Sequence, residues 1–248
     1  FLKDEFEISS KCKVSEVSGE EIIGKKFSEL SENLQETLKE YELSIAVLRP
    51  LSEAERELVF FMRNQAVPLV NMELVRVLMG REVLKDVEKL AGHGFMSKVN
   101  LSSSKTNRYQ DRQVLLECMV LETESDYSFS SKDLKAFVAA LREVGVSSKV
   151  KDSITNTFDY MNRAIPEKMR PLRKLHVPMV YVVAKQAVAD NVPEETFRAW
   201  LEQVFEDIKG DDNKYIDAYE AGTAKKSSIN ARIKFMTEHF NDYIEKAM

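Results

Sequence analysis

Histidine and cysteine are the residue types that most often bind metals or act as nucleophiles, and in this chain they are few and scattered. The three histidines, His93, His176 and His239, are far apart, and none has a partner at a metal-ligand spacing such as HExxH or HxxxH. The two cysteines, Cys12 and Cys118, form no CxxC pair. We therefore predict structural or surface roles for these residues and no metal site.

Motifs that cradle phosphates or activate a serine are also missing from the sequence. It contains no GxxxxGK[ST], no GxGxxG and no GxSxG, which excludes the usual P-loop, dinucleotide-binding and serine hydrolase sites. The formal net charge is −5, whereas a protein that binds nucleic acid through its overall field is usually basic. Nucleic-acid binding would therefore need a local basic surface.

Two local clusters of basic residues are candidates for phosphate contacts. The first lies just before an apolar segment and comprises Lys168, Arg170, Arg173 and Lys174; the second is thinner and comprises Lys105, Arg108 and Arg112. Lys and Arg bind nucleic acid by replacing its condensed counterions. The same charges also suit a solvated loop in front of a buried helix, so both interpretations stay open.

A third candidate is the segment 61–76, where one helix ends and the next begins. Asn64 can end the first helix because it tolerates left-handed geometry, and Pro68 delays the start of the second. Glu73 and Arg76 are three residues apart on that second helix and can form an ion pair. The segment is either a structural corner or a functional site.

Long helices are the elements expected to position these residues. The chain has 248 residues with only 8 glycines and 6 prolines, and from about residue 70 its apolar residues recur at helical spacing. The first part instead has short alternating stretches and a buried strand at 43–48. We therefore predict an α+β fold, mostly α, with an α/β front in residues 1–80 and a helical bundle in residues 81–248. No apolar run is long enough to span a membrane, and we expect a cytoplasmic protein.

The order of motifs in the front half resembles a known family. It reads GxxFxxL, amphipathic helix, short strand, acidic helix, then F-x-x-N-x-x-x-P-L-x-x-x-E-x-x-R. The matching residues are Gly24, Phe27, Leu30, Leu34, Tyr41, Leu43, Val47, Leu48, Phe61, Asn64, Pro68, Leu69, Glu73 and Arg76. Residues 108–116 and the terminal residues Tyr219, Ser227, Ser228 and Arg232 add weaker matches. Together they resemble the domain-of-unknown-function 262 family, the DGQQR-type branch of the ParB/sulfiredoxin-like superfamily typified by the GmrSD modification-dependent restriction enzymes.

The resemblance implies a partial ParB-like α/β front and a role in phage or bacterial defence. The family's catalytic Asp-Gly-Gln-Gln-Arg motif lies ahead of a stretch similar to residues 1–6, and this chain does not contain it. Its catalytic residues are therefore unknown. The resemblance places the following residues as supports beside a phosphate: Asn64, Glu73, Arg76, Asp111 and Arg112. Residues 65–67 depart from the family, which commonly has glycine there.

We accordingly expect the C-terminal two thirds of a ParB-like DNA- or nucleotide-processing protein. No cofactor is expected in this chain, whereas an intact NTPase or nuclease would use a nucleotide and a divalent metal. The expected partners are DNA, a second copy of the chain, and the upstream segment or another polypeptide that pairs with the edge of strand 43–48; a membrane is not expected. The alternative is a non-enzymatic scaffold or a decoy that retains the fold.

Overall fold

Helices make up most of the described chain, as the composition predicts. A computed structural model describes residues 3–41, 59, 71–101, 109–124, 128–209, 215 and 222–247. The described residues contain many helices and a few short strands, which confirms the prediction of an α+β fold that is mostly α. The strand predicted at 43–48 lies outside the described residues, and so does the corner with Asn64 and Pro68.

The chain divides into two units, Phe1–Leu51 and Ser52–Met248. The division predicted from the sequence, 1–80 and 81–248, separates an α/β front from a bundle. Most of residues 42–70, which would carry that front, lie outside the described part, so this division stays a prediction. The helices between residues 71 and 91 belong to the second unit.

In its described residues, the first unit contains one short hairpin, one 3₁₀ turn and one α-helix. Strand β1 (Glu16–Val17) pairs antiparallel with β2 (Glu20–Glu21). Both turn residues between them have positive φ, 53° at Ser18 and 82° at Gly19, as a tight two-residue hairpin turn requires. A 3₁₀ turn (Phe27–Glu29) leads into α1 (Glu32–Glu40). A small core is formed by Ile22, Phe27, Leu30 and Leu34, with Ile8 packed against it.

The described part of the second unit is a helical bundle with one pair of short strands. Its helices are α2 (Asn71–Leu78), α3 (Gly80–Ala91), α4 (Gln110–Thr123), α5 (Ser131–Val144), α6 (Ser148–Ala164), α7 (Val177–Ala189), α8 (Glu194–Asp207) and α9 (Lys226–Ala247). A 3₁₀ segment (Gly94–Lys98) leads into strand β3 (Val99–Asn100), which pairs in parallel with β4 (Met169–Arg173).

Helices α4 and α7 lie at the centre of this bundle. In α4 the seven successive residues 114–120 are all buried, and α7 packs against α4, α6 and α9. An apolar surface on all sides is typical of a helix surrounded by others. The apolar segment that follows the first basic cluster in the sequence is therefore a central, largely buried helix.

Local sequence sets several helix ends. Ser130 accepts a hydrogen bond from the backbone N–H of Asp133 at the start of α5, which satisfies one of the free donors of the first turn. Gly145 follows α5 with φ 74°. This conformation has a low energetic cost for glycine because glycine has no Cβ. Gly80 has φ 68° between α2 and α3 and lets two adjacent helices take different directions.

Strand β4 shows that the interpretation of the basic segment as a solvated loop was wrong. The sequence suggested a solvated loop at 168–174, but residues 169–173 form a strand in which Leu172 is fully buried. The strand is specified by tertiary pairing: the side-chain amide of Asn100 in β3 donates to the carbonyl of Arg170 at 2.8 Å. Within the described residues, no helix is both long and apolar enough to cross a membrane.

Candidate functional site

Two of the predicted arginines meet on a glutamate that the sequence did not single out. Arg76 on α2 donates to Glu88 Oε1 on α3 at 2.9 Å, and Arg112 on α4 donates its Nε and one terminal nitrogen to Glu88 Oε2 at 3.1 and 2.5 Å. Arg112 also pairs with its neighbour Asp111. We call these four residues the Glu88 network; it joins three helices through one carboxylate.

The charges of the Glu88 network stabilise one another. Hydrogen bonds from Arg112, and the charges of both guanidinium groups, hold the pKa of Glu88 below its ordinary value although partial burial acts in the opposite direction. The hydrogen bond to Glu88 likewise raises the pKa of Arg112. Side chains in the network are about 25–31% exposed, so water reaches the site.

Tyr109 covers one side of the network in an unusual backbone conformation. It precedes α4 with φ 64°, the left-handed region that bulky residues rarely adopt. The guanidinium carbon of Arg76 lies 4.2 Å from the centre of the Tyr109 ring, and that of Arg112 lies 5.7 Å from it, which adds cation–π attraction. Arg76 Nε is buried and finds no hydrogen-bond acceptor among the described residues.

Strand β4 and the two residues that flank it carry the four predicted cations of the first basic cluster, and three of them face solvent. Lys168, Arg170 and Arg173 are exposed, whereas Met169 is half-buried and Leu172 is buried. No described carboxylate forms an ion pair with any of the three cations. Burial along β4 does not follow a strict alternation of faces, and it leaves Arg170 and Arg173, with the preceding Lys168, exposed.

Lys174, the fourth cation, is placed differently. It is half-buried, and burial lowers its pKa. The positive charge of Lys174 acts on Glu117 of α4, which is only 5% exposed and accepts a hydrogen bond from Gln113 at 2.8 Å. Burial raises the pKa of Glu117 to about 7. Lys174 therefore belongs to a buried polar cluster and not to the exposed row on β4.

Arg232 and His176 extend polar contacts through the same part of the core. Arg232 is fully buried and donates to the carbonyls of Ser228, Leu175 and Thr223. His176 Nδ1 lies 2.6 Å from the hydroxyl of Tyr215. Burial, with the charges of nearby arginines, lowers the pKa of His176 to about 4, so this imidazole is neutral at ordinary pH.

The other two histidines also make structural contacts, in agreement with the sequence-based prediction. His93 Nδ1 accepts the backbone N–H of Phe95 at 3.1 Å and caps the 3₁₀ segment, and its Nε2 lies 3.0 Å from Asp159. His239 bridges Trp200 and Asp207. In the described part of the chain, no group of three or more His, Cys, Asp or Glu side chains could hold a metal ion.

Four of the predicted site residues are not part of the clusters described above. Asn64, Lys105 and Arg108 lie outside the described residues. Glu73 lies in the first turn of α2 and is half-buried. Sequence reasoning missed Glu88 because nothing in its neighbourhood marks it; its role follows from the packing of α3 between α2 and α4.

Comparison of the chain with protein-family models, with curated proteins and with solved structures gave no match. The resemblance to the domain-of-unknown-function 262 family therefore rests on the quoted residues alone.

Proposed function

We propose that this chain is a ParB-like nucleic-acid-binding protein of the restriction or anti-phage type, and that strand β4 contacts phosphates. The observation that carries the proposal is the row of exposed cations Lys168, Arg170 and Arg173, none of which is neutralised by a described carboxylate. Free, solvent-facing Lys and Arg side chains are the groups that replace counterions on a phosphate backbone.

The proposal assigns binding to this chain and leaves catalysis unassigned. None of its 248 residues forms the Asp-Gly-Gln-Gln-Arg motif of the family. The Glu88 network supports a positioning role for Arg76 and Arg112, because both guanidinium groups already have a carboxylate partner. A nucleotide, a divalent metal and NTPase or nuclease chemistry would require that motif, and we place the protein in the cytoplasm.

Recognition at β4 would be independent of base sequence. None of the large hydrophobic side chains that are exposed in the described part of the chain belongs to β4 or to the residues that flank it in sequence. Base stacking on aromatic side chains is what usually supports sequence-tolerant binding of single strands. When cations contact only phosphates, affinity instead depends on the charge density of the DNA. Because the duplex has the higher charge density, we expect it to bind more tightly than a single strand.

The experiment is a binding titration with a short labelled DNA duplex of arbitrary sequence at low salt. We expect the variant Lys168→Gln/Arg170→Gln/Arg173→Gln to bind at least about tenfold more weakly than the unmodified chain. The matched control removes three exposed lysines on helices, Lys85→Gln/Lys132→Gln/Lys149→Gln, and so changes the net charge equally. Equal losses in the two variants would contradict a role for β4.

A second function, from a different class, is favoured by another aspect of the same strand. Lys, Arg and Pro on an exposed strand edge also prevent pairing with other chains, and β4 contains Pro171 and pairs only with β3 among the described residues. In the Glu88 network, both guanidinium groups are already paired with a carboxylate. The two features together favour a non-enzymatic scaffold or decoy. That function predicts no measurable DNA binding in the titration above.

A further inference from the structure

His239 lies between the only tryptophan of the chain and an aspartate. The indole Nε1 of Trp200 on α8 is 3.1 Å from His239 Nδ1 on α9, and His239 Nε2 is 2.9 Å from Asp207 Oδ2. An indole nitrogen can only donate a hydrogen bond. His239 Nδ1 must therefore accept, so the imidazole carries its single proton on Nε2 and donates it to Asp207.

A second proton on His239 is incompatible with this arrangement. It would bind at Nδ1, the atom that accepts the indole N–H, and two donors would then face each other. Trp200 is fully buried, with its ring 5.2 Å from that of Phe197 and 5.0 Å from that of Phe240. Its N–H would lose its partner in a place where water does not replace it, which is unfavourable.

His239 is accessible from solvent and is surrounded by charged groups of both signs. The His239 side chain is 18% exposed and borders an open depression of about 400 Å³ between α8 and α9. The depression is lined by Asp207 and Gln203 from α8 and by Asp242, Tyr243 and Lys246 from α9.

We propose that His239 is a proton-operated latch between α8 and α9. Neutral His239 holds Trp200 and joins the two helices; protonated His239 keeps Asp207, releases the indole N–H and loosens the end of the bundle. His93 has the same arrangement, with Nδ1 accepting a backbone N–H and Nε2 facing a half-exposed aspartate. This device is independent of the DNA-binding proposal.

Because Trp200 is the only tryptophan, its fluorescence reports this contact directly. We expect its emission to shift to longer wavelength between pH 8 and pH 5, the range in which imidazoles gain charge. His239→Gln, whose side chain does not gain a charge in this pH range, is expected to remove the shift. His93→Gln, the matched control, is expected to keep it.

Two results would overturn the latch: no shift in the unmodified chain, or the same shift in His239→Gln. If His239→Gln does not fold, the ¹⁵N-labelled indole of the unmodified chain decides. Its single N–H resonance must change with the titration of the His239 ring nitrogens; a resonance that stays constant through that titration rejects the proposal.

Discussion

Glu88 is a single carboxylate that receives hydrogen bonds from two helices other than its own. Its partners Arg76 and Arg112 come from α2 and α4, so its charge opposes the repulsion between two neighbouring guanidinium groups. A network of this kind holds three helices in a fixed arrangement only while its carboxylate is ionised.

Replacing Glu88 by Gln is expected to lower the free energy of unfolding by about 1–3 kcal/mol at pH 7, because two partly buried cations lose their counterion. Urea denaturation measures this. The control Glu202→Gln breaks an exposed pair with Arg198 and is expected to cost about 0.2–0.5 kcal/mol. Since the folded pKa of Glu88 lies below its ordinary 4.5, its contribution is present above that pH and is lost as the pH falls through the folded value. Equal costs for the two variants would contradict the network's role.

Glu117 is expected to show the opposite pH dependence. Burial raises its folded pKa from 4.5 to about 7, so the folded state holds the proton more tightly, and stability falls as the pH rises from 4.5 to about 7. Glu117→Gln should then be more stable than the unmodified chain by about 2–3 kcal/mol at pH 8, with the difference vanishing near pH 4. Thermal unfolding at both pH values measures it.

The control for Glu117 is Glu143→Gln, at an exposed position on α5, where we expect less than about 0.5 kcal/mol at either pH. A destabilised Glu117→Gln at pH 8 would show that Lys174 and Arg232 stabilise the ionised carboxylate by more than burial penalises it, contrary to the burial argument.

At the residue scale, the sequence predicted the roles of single side chains unevenly. Arg76, Asp111 and Arg112, which it predicted as supports beside a phosphate, do lie together in the Glu88 network, and their role at a phosphate stays a prediction. It did not identify Glu88 or Glu117, because a glutamate on a helix looks the same whether it faces water or two arginines. Only the packing of α3 and α4 against their neighbours distinguishes them.

At the scale of elements, the start of α9 is held by a buried arginine. Arg232 donates to the carbonyls of Thr223 and Ser228 near the start of α9 and to that of Leu175 just before α7. Because buried carbonyls need donors, this side chain fixes how the chain enters two adjacent helices.

Arg232→Met keeps most of the side-chain volume but removes these donors. We expect a loss of about 2–4 kcal/mol in unfolding free energy and faster amide exchange in residues 222–232, measured by urea denaturation and hydrogen exchange. Arg198→Met, on the exposed face of α8, is expected to cost less than about 1 kcal/mol. Unchanged exchange near the start of α9 in Arg232→Met would contradict the anchoring role.

The elements of the second unit were mostly predictable because their apolar residues recur at 3.6-residue spacing. The stripes in α5, α6, α8 and α9 and the apolar α7 all correspond to helices in the structure. Strand β4 was not predictable. Apolar and polar residues do not alternate regularly along it. The strand forms because β3, about 70 residues earlier in the chain, pairs with it and because the side chain of Asn100 in β3 donates to the carbonyl of Arg170.

At the scale of the whole molecule, a chain with net charge −5 presents a local row of cations. An acidic protein that still binds DNA must do so through such a patch, and each cation that contacts a phosphate adds to the salt dependence of binding. Edge protection of β4 requires only that the charges be present, not that they meet phosphates. The two functions therefore differ in a measurable slope.

The most direct test of the account is the dependence of DNA affinity on salt concentration. If Lys168, Arg170 and Arg173 each contact a phosphate, the plot of log K against log salt for the variant with all three replaced by Gln should be flatter than that of the unmodified chain by about 2.7, which is 0.9 for each contact. The Lys85, Lys132 and Lys149 control variant should keep the original slope. Identical slopes for all three proteins, or no binding by the unmodified chain at low salt, would contradict phosphate recognition by β4.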